Sequence, residues 1–318
     1  MNFQISLESI QAARKRITGI AMRTPLVRFQ SDDDAREIWL KLENLQPVGS
    51  FKIRGAASAM TAVARDQLRD GVVTASAGNM AQGVAWMARQ IGVPCTVIIP
   101  EAAPQNKVEA IRRLGARTIA VPFADWWDAL ANRGHPAAKG HFVHPVADAN
   151  VIAGNGTIGL EILEDLPNVD AVLVPFGGGG LSCGIAAAIH ALRPEARVYG
   201  CEPATAAPLN ASFAAGKPVA IERIATFVDG CGGRALLPDM WPLISTLLSG
   251  AFAPAIAEIA AGVRMLAERN KIVAEGAGAV AIAAALNAGA PTGRIVCIVS
   301  GGCIDAAHLA TILAGRVP

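Results

Sequence analysis

The chain carries almost no excess charge: its 318 residues hold 28 Lys and Arg against 26 Asp and Glu, a formal net charge of +2. Without a basic surplus there are no counterions to displace from a polyphosphate backbone, which argues against nucleic acid as a partner. The six cysteines, Cys95, Cys183, Cys201, Cys231, Cys297 and Cys303, include no CxxC pair. Three of them, Cys95, Cys201 and Cys297, fall in or beside apolar runs, so reduced thiols in a cytoplasmic protein are expected. The run Gly177-Gly178-Gly179-Gly180-Leu181-Ser182 does not have GxGxxG spacing, and Cys201-Glu202, at the next strand end, is a poor match for a ribose-binding acid. A Walker lysine is missing too, because Leu181 and Ser182 stand where GK[ST] requires one. No fixed-period repeat and no Gly/Ser-rich linker divides the chain. Segment 171–192 lacks Asp, Glu, Lys and Arg and has the length of a bilayer span. Pro175 and the run Gly177-Gly178-Gly179-Gly180 would leave backbone groups unsatisfied in lipid, so a buried strand, a loop and a helix are expected there, and no membrane. Glu8, Arg14, Lys15 and Arg16 come before any long apolar stretch, so neither a signal peptide nor an anchor is expected at the start.

What is plentiful is apolar content. With 52% hydrophobic and 17% charged residues the chain can bury a large core, and its length is close to that of two domains of roughly 150 residues. Short apolar runs at 72–75, 95–99, 117–121 and 141–143 read as strands, each followed by a helix-length segment. The rhythm restarts at 171–174 and continues at 197–201 and 294–299. These runs are uniformly apolar rather than alternating, as in parallel sheets covered by helices on both faces. Segments 156–166, 255–268 and 277–287 space their apolar residues as helices do. The fold class is α/β.

Four segments carry potential chemistry. Ser50-Phe51-Lys52-Ile53-Arg54-Gly55 places a lysine in the first turn of a helix, with Ser50 as a candidate cap. A cation there opposes the helix dipole unless its charge is used or relieved, although a solvated surface lysine explains the same residues. Phe51 adds an aromatic face able to lie against a planar ring. Ser76-Ala77-Gly78-Asn79-Met80-Ala81-Gln82-Gly83 joins a strand to a helix, and free amides at a helix start bind a carboxylate or phosphate. An ordinary turn capped by Asn79 is an equal reading. Pro175-Phe176-Gly177-Gly178-Gly179-Gly180-Leu181-Ser182 spends four glycines on one loop, which suits close wrapping of a ligand phosphate. Ser300-Gly301-Gly302-Cys303-Ile304-Asp305 ends the last strand, at the carboxyl edge where α/β sheets bind ligands.

Taken in order, these segments resemble the fold-type II pyridoxal-phosphate enzymes, specifically the threonine/serine dehydratase and serine racemase family. The resemblance extends to Leu42-Glu43-Asn44-Leu45-Gln46, His144-Pro145, Ile152-Ala153-Gly154-Asn155-Gly156-Thr157-Ile158 and Ala274-Glu275-Gly276-Ala277-Gly278-Ala279, nearly the whole chain. It implies a fold similar to the tryptophan synthase β chain: two open, twisted α/β domains with the cofactor, pyridoxal 5'-phosphate, in the cleft. Residues 1–70 and 147–318 would form the large cofactor-binding domain and 71–146 a small mobile substrate-binding domain. Lys52 would hold the cofactor through its amine and act as base at the substrate Cα, with Phe51 against the ring. Gly177, Gly178, Gly179, Gly180 and Leu181 would cradle the phosphate, Asn79 would reach the ring hydroxyl, and Ser300 would face the pyridine nitrogen. Substrate contacts would come from Ser76, Ala77, Gly78, Asn79, Met80 and Glu275, although an acid at an apolar helix start explains Glu275 equally well. The activity implied is β-elimination of a β-hydroxy amino acid such as L-threonine or L-serine, giving a 2-oxo acid and ammonia. The implied partners are a small amino-acid substrate and a second copy of the chain in a homodimer.

Several positions depart from the family pattern. Met80 replaces the usual histidine and Cys303 the usual asparagine, which leaves room for a bulkier or less polar β-substituent. Racemases of the family have a second serine where this chain has Ala77. Members with a divalent-cation site would match Glu202 and the Ala206 carbonyl, but their second carboxylate falls at Pro208, so no metal is expected. Competing readings are β-replacement of the cysteine-synthase kind and a relative that keeps the fold without turnover.

Overall fold

The computed structural model describes residues 3–31 and 36–318. Among them are ten strands: β1 Leu26–Arg28, β2 Arg36–Leu42, β3 Val72–Ala75, β4 Cys95–Pro100, β5 Arg117–Val121, β6 His141–Phe142, β7 Ala171–Pro175, β8 Arg197–Cys201, β9 Gly250–Phe252 and β10 Gly293–Val299. They form two sheets, a larger one ordered β1-β2-β10-β7-β8-β9 and a smaller one ordered β5-β4-β3-β6. Only β1 runs antiparallel to its neighbour; every other pairing is parallel. β3 and β7 are buried along their whole length, which is why their sequences show no alternation.

The seven strands expected from the sequence are present. β1, β2 and β9 were not anticipated: β1 and β9 span three residues each, and β2 hides its character behind a buried Lys41. The helix expected from 156 starts earlier, as Ala149–Asp165, because the Asp148 carboxylate caps it by accepting from the amides of Asn150 at 2.8 Å and Val151 at 3.1 Å. Apolar clusters cover both faces of the larger sheet, while another beneath the smaller sheet draws in Ile17, Ala56, Ala57, Ala59, Met60 and Leu68. All six cysteines are free. No helix among the described residues is long and apolar enough to cross a membrane.

The helix Lys52–Thr61 is buried from Ile53 to Met60. It meets the helix Ala149–Asp165 at backbone range: a Cβ on Gly154 would stand 2.5 Å from the Arg54 carbonyl oxygen. Arg54 is 1% exposed, and its guanidinium donates to Glu43 from Nε and Nη2, both at 2.8 Å, and to Glu161 from Nη1 at 2.7 Å and Nη2 at 2.9 Å. Lys41 Nζ adds a second cation 2.6 Å from Glu161, and the Thr24 hydroxyl donates to Glu43 at 2.6 Å. Burial pushes the Glu43 carboxyl up, but Arg54 more than offsets it, so the net shift is downward. Two cations and two carboxylates thus neutralise one another without water. Arg54→Met would leave Glu43 without its ion-pair partner and Glu161 with Lys41 alone. Urea unfolding should show a loss of about 3–5 kcal/mol; a loss within the ~0–1 kcal/mol of a surface pair would contradict the arrangement.

Candidate active site

Sheet order brings the four segments together. β10 and β7 are neighbours, so the loop opening at Ser300 and the glycine run leave adjacent carboxyl ends, and β2, on the other side of β10, leads towards Lys52. In the smaller sheet β3 and β6 are neighbours, and their carboxyl ends deliver 76–80 and His144-Pro145.

Ser50 does not cap the lysine helix. The cap position is Phe51, with helical backbone angles and no side-chain bond, and the Ser50 hydroxyl is buried without a hydrogen-bond partner among the described residues. What fixes this stretch is the chain after β10: Ser50 pairs with Gly301, Phe51 N–H donates to Ser300 O at 3.0 Å, and Gly302 N–H donates to Gly49 O at 2.9 Å. Tertiary backbone pairing has replaced a local cap. Lys52 itself is half-buried, with Nζ 3.3 Å from Pro145 O and 4.9 Å from the centre of the Phe51 ring. Burial pushes its amine down to about 8 against the pull of the Glu275 carboxylate. It is not a solvated surface lysine.

The glycine run opens the helix Gly180–Leu192. The amides of Gly177, Gly178, Gly179, Gly180, Leu181 and Ser182 donate to no acceptor among the described residues, although Gly179 to Ser182 are buried. Orphaned buried donors in sequence, at the positive end of a helix, form a seat for an anion. Gly179 has φ +97°, a conformation that side chains other than glycine rarely adopt, while on the Cβ side of Gly177 nothing lies nearer than 3.8 Å. Leu181 contributes only its amide, its side chain being in the core.

The second strand-to-helix turn opens Asn79–Ile91 with Gly78, not Asn79, at the cap. Here the amides of Ala77, Asn79, Met80 and Ala81 donate to no acceptor among the described residues, Gly78 N–H donates to Ser76 Oγ at 3.2 Å, and a Cβ on Gly78 would touch nothing described within 4 Å. The Met80 side chain is buried in the core beneath the smaller sheet, so only its amide faces the turn. Asn79 Nδ2 donates to Glu275 Oε1 at 2.8 Å, joining the two sheets' loops beside Gly301, where a Cβ would come within 2.6 Å of Glu275 Oε1. Glu275 also occupies the cap position of the helix Gly276–Leu286, without a side-chain bond to it. Ser300 Oγ donates to Ala277 O at 3.3 Å, and Cys303 Sγ donates to Val48 O at 3.5 Å, with burial raising its thiol to about 11.

Reading the sequence missed the ion pair between Lys107, on the helix Gln105–Arg113, and Asp229, and the part played by the buried His144. Lys107 sits at no distinctive spacing, while the pair His144-Pro145 was part of the resemblance but carried no role for the imidazole. Burial, with Asp229 adding, pushes Glu275 up to about 7, opposed by Lys107, Asn79 and Lys52. A carboxyl whose pKa is higher folded than unfolded binds its proton more tightly in the native state. Stability therefore falls as pH rises from the ordinary carboxylate value to about 7. Thermal unfolding of Glu275→Gln should lack that component, with a slope difference approaching about 1.4 kcal/mol per pH unit; identical profiles for both proteins would refute the shift.

Comparison with known proteins agrees with this geometry. Residues 17–301 match the family described as pyridoxal-phosphate dependent enzyme. An L-threonine ammonia-lyase of Thermotoga maritima is 42% identical over 306 residues, 95% of this chain and 76% of that protein. A catabolic L-threonine dehydratase of Escherichia coli is 36% identical over 97% of this chain and 96% of its own. Among solved structures, maize serine racemase superposes with a TM-score of 0.90 at 32% identity, covering 98% of this chain and 97% of the other. The two-sheet architecture is the fold-type II arrangement expected from the motifs. The chain belongs to the family of pyridoxal-phosphate dependent enzymes.

Proposed function

We propose that this protein binds pyridoxal 5'-phosphate through Lys52 and acts as an ammonia-lyase on a β-hydroxy amino acid such as L-threonine or L-serine, releasing a 2-oxo acid and ammonia. The observation that carries the reading is a half-buried amine, lowered to about 8, between a seat of unpaired amides and the loop after β10. The residues fit the group: an anion seat at 177–182, a lysine able to be free amine near neutrality, and a hydroxyl at Ser300. When bound, pyridoxal phosphate supplies an aldehyde that captures amines and a conjugated ring that takes up the electron pair left at Cα.

The protein's own residues divide the remaining work. With the cofactor bound, the amides of 177–182 would hold the phosphate, Phe51 would lie by the ring, Asn79 would reach the ring hydroxyl, and the Ser300 hydroxyl, which donates to Ala277 O in this structure, would turn to the pyridine nitrogen. A hydroxyl would not protonate that nitrogen as a carboxylate would, so with Ser300 there the group would supply a weaker electron sink. The free amides of Ala77, Asn79, Met80 and Ala81 hold the substrate carboxylate, and Lys52 removes the proton from Cα. We place the substrate seat on a mobile unit of residues 71–146 and the cofactor seat on 1–70 and 147–318; β3 to β6 pairing only among themselves supports this division.

Ala77 offers no transferable proton on the face opposite Lys52, so elimination is expected without racemisation. Glu202, the candidate metal carboxylate, accepts from the amides of Leu209 at 2.9 Å and Asn210 at 3.3 Å, and Pro208 supplies no second charge. Lys52→Ala should fold normally and lose turnover by about 10⁴-fold or more; normal turnover in that variant would defeat the assignment. With L-serine or L-threonine, D-amino acid should appear at least about 10²-fold more slowly than 2-oxo acid, and chelator treatment should leave the rate unchanged. Comparable D-product would remove the argument from Ala77, and activity restored by magnesium would remove the one from Pro208.

A further inference from the structure

His144 is 3% exposed and stands two residues beyond β6. Its Nδ1 accepts the amides of Val146 at 3.1 Å and Ala147 at 2.8 Å. An imidazole that accepts at Nδ1 keeps its proton on Nε2. Burial pushes its pKa down to about 4, and the nearby charges of Arg133 and Lys52 push the same way, so the ring stays neutral and Nδ1 remains an acceptor around neutral pH.

The two accepted amides fold 144–147 into a turn with two working faces. On one face, the Pro145 carbonyl receives Lys52 Nζ at 3.3 Å. On the other, Val146 fills the space beside the glycine run: a Cβ on Gly178 would stand 2.7 Å from Val146 Cγ1, and one on Gly180 3.0 Å from Val146 O. Both ends of the turn are anchored. Val143 N–H donates to Val73 O and Thr74 Oγ1 to Val143 O, each at 2.8 Å, while the Arg133 guanidinium donates to Ala147 O and Asp148 caps the helix that follows. Between those anchors the orientation of the Pro145 peptide depends on the imidazole, because proline has no N–H with which to fix itself.

We propose that His144 is a positioning residue: its imidazole shapes the 144–147 turn and thereby sets the separation between the Lys52 amine and the amide seat at 177–182. The inference rests on the reading of Lys52 and that seat as the cofactor site. His144 touches neither substrate nor cofactor in this account and acts only through Pro145 and Val146.

The test compares wild type with His144→Asn, His144→Gln and His144→Leu as full-length protein stripped of cofactor. Pyridoxal phosphate is then added, and the rate of growth of the lysine adduct band, near about 410–430 nm, is followed. Far-UV circular dichroism and melting temperature are recorded for each protein. Asparagine places an acceptor oxygen near the Nδ1 position, whereas glutamine places it near Nε2 and leucine provides none. His144→Asn should stay within about threefold of the wild-type rate, while His144→Gln and His144→Leu fall by about tenfold or more. Leucine at the wild-type rate, or glutamine rescuing as well as asparagine, overturns the proposal. If the leucine variant does not fold, the contrast between asparagine and glutamine decides. A wild-type protein that never develops the band overturns the reading of the site itself, an outcome separate from equal rates across the variants, which removes only the role of His144.

Discussion

Arg54 lies in the interior with its guanidinium shared between Glu43, just past β2, and Glu161, on the helix Ala149–Asp165. Dehydrating such charges costs several kcal/mol per ion, and only good geometry with full pairing returns it. Here Lys41 and the Thr24 hydroxyl complete the set, and Gln46 Nε2 adds a further donor to Glu43 at 3.2 Å. The consequence is positional. Lys52 lies in the same helical turn as Arg54, so whatever locks the guanidinium also locks the direction in which the lysine leaves its helix. The close approach at Gly154, and at Gly83, where a Cβ would lie 3.2 Å from the Lys52 carbonyl carbon and oxygen, removes the remaining freedom from the backbone.

Around that fixed lysine, the parallel sheets do the gathering. The loops at 76–80, 144–147, 177–182 and 300–303 leave the carboxyl ends of strands, while Glu275 follows the helix Ile256–Asn270, and neighbouring strands bring segments far apart in sequence together. Polar contacts close the ring: the loop after β10 holds Ser50 and Phe51, Glu275 holds Asn79, and Pro145 meets Lys52. Among the described residues the amides of 77, 79–81 and 177–182 are conspicuous exceptions to complete pairing, and unpaired buried amides persist in folded proteins where a ligand satisfies them. A lysine lowered to about 8 and a glutamate raised to about 7 by burial lie in one cleft, an environment that tunes groups for proton transfer near neutrality.

Much of this was legible in the sequence for a simple reason. Uniformly apolar strands, glycine-rich turns and the order of motifs are local or ordered signals, so the α/β class, seven strands and the four loops could be read directly. The pieces that could not be read are those decided by tertiary contact. β2 looked polar because Lys41 and Glu37 interrupt it, yet Lys41 is neutralised from another helix. Ser50 has the residue type of a cap but sits where a distant loop supplies the pairing. Met80 looked like a group facing substrate and is instead packed in the core, because the start of its helix turns only its amide outward. Arg54 lay in plain view in a helix of small residues, and only three-dimensional packing shows why a charge is tolerated there.

The central claim is that this cleft eliminates the β-hydroxyl of a β-hydroxy amino acid, water then hydrolysing the product to a 2-oxo acid and ammonia. The most direct measurement incubates the purified, cofactor-loaded protein with a panel of such amino acids and quantifies 2-oxo acid and ammonia together. The account predicts equimolar release of both from at least one L-substrate. Release of neither, or formation of a new amino acid when a nucleophile is supplied in place of 2-oxo acid, would contradict it.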